Sequence, residues 1–173
     1  EMIEKSKEAG CDLVKLQAFE RATTNNHPQT ERLLKSSVTS HNIEKINDIA
    51  RSNNIEWFCT PMYLDAVKLL EPYVNRFKIR EIDARKLTNG ESTEMIDLII
   101  NTKKSIIASS EKIPKKNDLN KKRIKWLYCI PKYPCNYNEI NFQKMKNFDG
   151  FSNHCPVINA PINAAKNGAE IIE

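Results

Sequence analysis

The chain has 173 residues, 40% apolar and 28% charged, a balance that suits one globular domain and excludes collagenous, disordered and multi-pass membrane classes. Its 27 Lys and Arg against 22 Asp and Glu leave a net charge of +5, an excess that serves an anionic small molecule as well as nucleic acid and so selects neither. No apolar stretch approaches the ~20 residues of a membrane helix, and the opening residues lack the charged-then-apolar order of a signal peptide, so the expectation is a cytoplasmic protein with no membrane partner.

The chain opens on a predicted helix over 2–9, with Met2, Ile3 and Ala9 on one side, closed by Gly10 in a left-handed cap. A strand follows at 12–17. Ser40 is placed to cap a helix whose inner stripe is Ile43, Ile46, Ile49 and Ala50. After a strand at 56–60, Leu64, Val67 and Leu70 form the next stripe, which Pro72 stops. A strand at 76–79 leads through the Asn89-Gly90 turn to a helix carrying Met95, Ile96, Ile99 and Ile100. Strands follow at 105–109, 125–130 and 150–152, then a helix opened by Pro161 and ended by Asn167-Gly168, then a strand at 170–173.

From the strand at 56–60 onward the strand centres recur every 20 to 28 residues, the strand-helix alternation of a parallel α/β fold. Seven such units fit an open doubly wound sheet or most of an eight-stranded barrel. Even spacing and the lack of a Gly-x-Gly-x-x-Gly turn favour an α/β (β/α)8 TIM barrel with about seven of eight strands present. A whole barrel takes ~250 residues, so residues 1–173 read as a partial barrel domain, with the N-terminal strand and a C-terminal part of the barrel missing. Five cysteines, odd in number and without a Cys-x-x-Cys pair, are expected to be reduced and mostly buried.

Barrel chemistry sits at the C-terminal ends of the strands, and here those ends are polar. They carry Lys15 and Gln17, then Thr60, then Lys78 with Glu81 and Asp83 after it, then Ser109 and Ser110, then Tyr133, then Ser152 and His154. Two lysines within apolar strands are costly to bury without an anionic partner. Lysines and hydroxyls from several strands suit a phosphate or carboxylate; the alternative is that Lys15 and Lys78 pair with Glu81 or Asp83 as structural ion pairs. The basic run Lys115, Lys116, Lys121, Lys122 and Arg123 lacks interleaved aromatic residues and reads as a solvated face, so no nucleic-acid partner is expected. His27 and His41 read as solvated, Trp57 and Trp126 as packing residues.

These residues carry a resemblance. The runs Asp12-Leu13-Val14-Lys15-Leu16-Gln17, Trp57-Phe58-Cys59-Thr60-Pro61, Phe77-Lys78-Ile79, Ile106-Ile107-Ala108-Ser109, Tyr128-Cys129 with Tyr133-Pro134, Phe151-Ser152-Asn153-His154 and Gly168-Ala169-Glu170-Ile171-Ile172-Glu173 resemble, in order and spacing, the sialic acid synthase family. That family comprises the N-acetylneuraminate, legionaminate and pseudaminate synthases, transferases that condense phosphoenolpyruvate with an N-acetylated aldose.

The resemblance implies that Lys15 and Thr60 reach the phosphoenolpyruvate carboxylate and that Lys78, Ser109 and Ser152 hold its phosphate. Gln17, Asp83 and Tyr133 fall at positions facing the sugar or the tetrahedral intermediate, which makes Asp83, Lys78 and Tyr133 the candidate catalytic residues. His154 matches a metal ligand for Mn²⁺ or Mg²⁺; the family's second histidine falls two residues past the position of Glu173. It also implies a homodimer for the full-length protein and an inactive isolated piece; the family's antifreeze-like domain has no counterpart in these residues.

The match departs from the family in places. Where the family reads Lys-Ile-Gly-Ser-Gly followed by an acid, this chain has Lys78-Ile79-Arg80-Glu81-Ile82-Asp83. An acid at Glu81 would repel a phosphate unless Arg80 or Arg85 turns in to pair with both. Asn153 replaces the aspartate of Ser-Asp-His, Glu111 a glycine, and Pro131 an asparagine that often contacts the sugar. Pro131 and Met62 thus leave open a related phosphoenolpyruvate aldolase using another aldose; Glu81 and Asn153 leave open a non-catalytic binding protein.

Overall fold

The computed structural model describes residues 1–114 and 123–173. The four lysines of the basic run lie outside the described residues. The strands follow chain order, the arrangement of an incomplete (β/α)8 barrel. The chain divides into two compact units, residues 1–78 with 97–104 and residues 79–96 with 105–173.

The first unit begins with α1 (Met2–Glu8) and β1 (Leu13–Ala18). Gly10 closes the helix at φ +83°, as its lack of a Cβ allows. Two short helices not anticipated from the sequence, α2 (Arg21–Thr24) and α3 (Thr30–Lys35), precede α4 (Ile43–Ser52). The N-cap of α4 is Asn42, not Ser40, and its side chain turns back to accept from the Thr39 N–H at 2.8 Å. That bond tightens the preceding turn and moves the helix start two residues on. Next come β2 (Glu56–Pro61), α5 (Leu64–Leu70) and β3 (Arg76–Ile79).

β1 and β2 pair in parallel from Leu13↔Glu56 to Ala18↔Pro61, and β2 meets β3 at Cys59↔Phe77. Arg76 grips Glu56 with two hydrogen bonds, 2.8 and 3.1 Å, fixing the start of that pair. Ala18, Cys59, Leu70 and Phe77 are fully buried in this unit; burying a side chain such as Leu70 or Phe77 contributes about 1.5–3 kcal/mol.

The second unit carries α6 (Glu81–Thr88), β4 (Ser105–Ser110), β5 (Ile124–Tyr128), β6 (Gly150–Phe151), α8 (Asn159–Lys166) and β7 (Ile171–Ile172); α7 (Glu94–Asn101) falls across the division of the chain. Two 3-10 segments, Tyr137–Glu139 and Phe142–Asn147, link β5 to β6. α6 was not expected from the sequence: Glu81 and Asp83, read there as residues trailing a strand, lie in the first turn of this helix, where acids suit the helix dipole. The Asn89-Gly90 turn closes it.

β4, β5, β6 and β7 pair in parallel in that order. Gly150 permits the β6–β7 approach, since a Cβ there would lie 2.2 Å from the Ile171 carbonyl oxygen. Tyr128, fully buried, packs against Phe148 and Phe151 and takes the Asn141 N–H on its hydroxyl. Four of the five cysteines are buried and Cys11 is exposed, as expected. Trp57 and Trp126 are buried packing residues, and His27 and His41 are exposed.

Candidate functional site

In the first unit the candidates share one sheet face. The register sets Lys15 beside Phe58 and Gln17 beside Thr60, and side chains alternate faces along a strand. Cys59↔Phe77 then puts Lys78 on the same face as Thr60. Lys15, Gln17, Thr60 and Lys78 thus form one polar set backed by Val14, Trp57, Cys59 and Phe77 on the opposite face. Thr60 is 2% and Lys78 3% exposed, whereas Lys15 and Gln17 are half-buried. Lys15 and Lys78 are both partnered within the protein. Burial raises the Cys59 thiol well above its ordinary range, and the positive charge of Lys15 partly opposes the rise.

In the second unit the candidates come from strand ends and the loops after them. Ser109 pairs with Leu127 across β4 and β5, and Leu127 with Gly150 across β5 and β6. The Ser152 N–H extends that ladder to the Tyr128 carbonyl at 2.9 Å, so Ser109 and Ser152 share a face. Both are buried. Ser110, on the opposite face, is taken up by a turn with Lys112.

Asp83 is half-buried and held by Arg80, whose Nε donates to its carboxylate at 2.5 Å. Glu81, 8% exposed, takes the Arg85 Nε at 2.7 Å. Glu81 and Glu111 both favour the charged Arg85 guanidinium. Each acid after β3 thus has its own arginine. Sequence reading named these arginines without placing them; their i,i+3 and i,i+4 spacing is a signal only once α6 is known to be a helix.

His154 is fixed on both ring nitrogens. Its Nδ1 lies 2.5 Å from the Ile130 carbonyl oxygen. A carbonyl only accepts, so Nδ1 carries the proton, and in the neutral ring Nε2 presents a lone pair. The Tyr133 hydroxyl donates to that Nε2 at 2.6 Å, and the two rings stack with centroids 3.8 Å apart. Tyr133 is 79% exposed as a residue, but its hydroxyl end faces His154. Burial raises its phenol to about 12, with Cys129 and Glu173 adding to the rise.

Asn153 departs from the family's aspartate with a visible structural reason. Its Oδ1 accepts the Cys155 N–H at 3.0 Å while its Nδ2 donates to the Cys155 carbonyl at 2.9 Å, a donation no carboxylate can make. Among the described residues, no group of three His, Cys, Asp or Glu side chains gathers at metal-binding distance. No helix among them is long and apolar enough to cross a membrane.

A model of the NeuB family matches residues 2–173. The chain is 25% identical over 203 residues to an N,N'-diacetyllegionaminic acid synthase of Campylobacter jejuni, covering 99% of this chain and 60% of that protein. It is 23% identical over 193 residues to an uncharacterized protein of Methanocaldococcus jannaschii, covering 100% of this chain and 55% of that one. The chain therefore spans under two thirds of the length of these curated relatives. Among solved structures it is similar to an N-acetylneuraminic acid (sialic acid) synthetase of Leptospira borgpetersenii in complex with citrate. That match has a TM-score of 0.80 at 21% identity, over 99% of this chain and 65% of that one. A truncated 3-deoxy-D-arabino-heptulosonate 7-phosphate synthase of Thermotoga maritima matches with a TM-score of 0.66 at 12% identity, over 99% of this chain and 66% of the other. Both likenesses bear on the fold alone.

Proposed function

The chain belongs to the NeuB family, and from that membership we propose that the complete protein condenses phosphoenolpyruvate with an N-acetylated aldose, such as an N-acetylmannosamine-like sugar, giving a nonulosonic acid and phosphate. The observation that carries this reading is the shared face of Lys15, Gln17, Thr60 and Lys78. Lysine ammonium groups and hydroxyls brought onto one sheet face suit a small molecule that bears both a carboxylate and a phosphate.

In this reading Lys15 and Thr60 bind the carboxylate, while Lys78, Ser109 and Ser152 donate to the phosphate. The enol carbon attacks the sugar carbonyl, water adds at the resulting cationic carbon, and C–O cleavage releases phosphate. Asp83, held in place by Arg80, accepts a hydrogen bond from that water or from a sugar hydroxyl. Gln17 and Tyr133 orient the sugar.

The donor chemistry of His154 fits a divalent cation, Mn²⁺ or Mg²⁺. A ligating histidine gives its other N–H to a carbonyl, and the Nδ1 bond to Ile130 has that form. His154 Nε2 would hold the ion once the Tyr133 hydroxyl moves aside, and the ion would supply Lewis acidity at the sugar aldehyde.

A second reading, a phosphoenolpyruvate aldolase with a different aldose, draws on the Arg80–Asp83 and Arg85–Glu81 pairs, which replace the family's small and hydroxyl residues after Lys78-Ile79. Phosphate release by the complete protein, assayed with Mn²⁺, phosphoenolpyruvate and a panel of aldoses, decides between them. Turnover confined to N-acetylated hexoses supports the first reading, turnover confined to other aldoses supports the second, and no release with any sugar overturns both.

A further inference from the structure

We propose that Cys135 and Cys155 form an oxidisable dithiol, a site at which a low-molecular-weight disulfide converts two buried thiols into one intrachain bridge between the loop carrying Tyr133 and the loop carrying His154. The backbone sets the spacing. The Cys135 N–H donates to the carbonyl of His154, the residue joined to Cys155, at 3.0 Å. A bond of that length brings the two α-carbons near each other, on the scale of the ~4.4–6.8 Å that a disulfide spans. Burial raises the Cys135 thiol above its ordinary range, and the Cys155 thiol is near enough to add to that rise. The two residues are 2% and 4% exposed, so both thiols lie in a setting nearly closed to solvent.

Both loops are held in this arrangement from either side. Asn153 clamps Cys155 through its N–H and its carbonyl. His154 is tied to Ile130 and to Tyr133. On the other loop, Glu139 fixes Lys132 at 2.8 Å and the Asn136 N–H at 2.6 Å. A bridge therefore forms between positions that are already set, and once formed it pins Tyr133 and His154 to a common staple.

The chemistry balances without a further reactant. One protein thiol attacks the small disulfide and releases one small thiol, then the second protein thiol displaces the other. Two protein S–H bonds and one S–S bond of the oxidant are lost, while one protein S–S bond and two small thiols form, with two electrons passing to the oxidant. Burial slows access, so exposed Cys11 reacts first and the pair follows.

The test uses the chain with Cys11→Ser, incubated with glutathione disulfide, quenched with an alkylating agent and mapped by peptide mass without reduction. The expected result is a loss of two hydrogens, a linked peptide joining residues 135 and 155, and its reversal by dithiothreitol. Cys135→Ser and Cys155→Ser, with Cys135→Ala as an alternative small replacement, should each abolish the link. Mass mapping of the chain with native Cys135 and Cys155 stands even if a replacement fails to fold. Thiols that remain alkylatable, glutathione adducts without a bridge, or a bridge that recruits Cys59 or Cys129 instead would overturn the proposal.

Discussion

The two units place polar chemistry in different ways. In the first, Lys15, Gln17, Thr60 and Lys78 stand directly on paired strands, and their common face follows from the register. In the second, Ser109 and Ser152 also rest on the ladder, but Tyr133 and His154 stand on loops beyond the strands and Asp83 on a helix, each oriented by a particular partner: His154 for Tyr133, Ile130 for His154 and Arg80 for Asp83. Strand placement is paid for once by the sheet ladder, whereas loop placement needs a dedicated bond for every group. Damage to the first should act through lost charge, and damage to the second through lost position.

The largest effect that would sharpen this contrast is expected from Lys78→Met in the complete protein. The substitution keeps the unbranched stem and removes the ammonium from a 3%-exposed site. A hydrogen bond to a charged group contributes about 1.5–3 kcal/mol, so phosphoenolpyruvate affinity, measured by calorimetry, should weaken roughly 10- to 150-fold. Unchanged affinity with an intact circular dichroism spectrum would remove Lys78 from the phosphate set.

Gly150→Ala comes next and attacks the sheet on which Ser109 and Ser152 depend. The added Cβ would lie 2.2 Å from the Ile171 carbonyl oxygen and 2.8 Å from the Ile171 Cβ, so backbone must shift. Overpacking of this kind costs about 1–3 kcal/mol, read as a lower urea midpoint. A midpoint equal to that of the unmodified chain would mean that β6 and β7 part easily, and the second unit would then lack the rigid ladder assigned to it.

The same contrast explains what the sequence discloses. Alternation along 12–17 and 56–60 is a period-2 signal, so Lys15 and Thr60 can be assigned to a barrel face before any coordinate is known. α6 was hidden because Arg80-Glu81-Ile82-Asp83 lacks a side-chain cap and its one exposed apolar residue, Ile82, breaks the stripe. Without that helix, the Arg80–Asp83 and Arg85–Glu81 pairs have no spacing to reveal them. The His154 tautomer is set by a main-chain carbonyl 24 residues away, and residue type carries no trace of such a partner. Ser40 shows the opposite failure: a residue with good capping chemistry was passed over because Asn42 closes its turn from the other side.

Asn153→Asp is a smaller perturbation confined to the loop side of the comparison. It restores the residue type the family carries there, but loses the donation to the Cys155 carbonyl and sets a carboxylate oxygen against it. A net loss of about 1 kcal/mol is expected in urea unfolding, with the Cys155 N–H bond retained. A gain in stability would mean that the aspartate finds a better partner and that the asparagine is not there to clamp the loop.

The smallest effect expected is a pH dependence in the segment between Tyr133 and the first 3-10 turn. Glu139 accepts from Lys132 and from the Asn136 N–H, and both bonds hold its carboxyl below the usual value. A lowered native pKa means that the unfolded chain takes up its proton first as pH falls. The contribution is therefore complete above the ordinary pKa of 4.5 and fades as pH drops from there through the lower native value. The group is exposed, so the change should register locally rather than in global stability. The Asn136 amide should lose hydrogen-exchange protection below that point, and Glu139→Gln should make its protection independent of pH. An Asn136 amide indifferent to pH in the unmodified chain would show that backbone geometry alone holds the loop, which would give the second unit the self-sufficient placement so far assigned to the first.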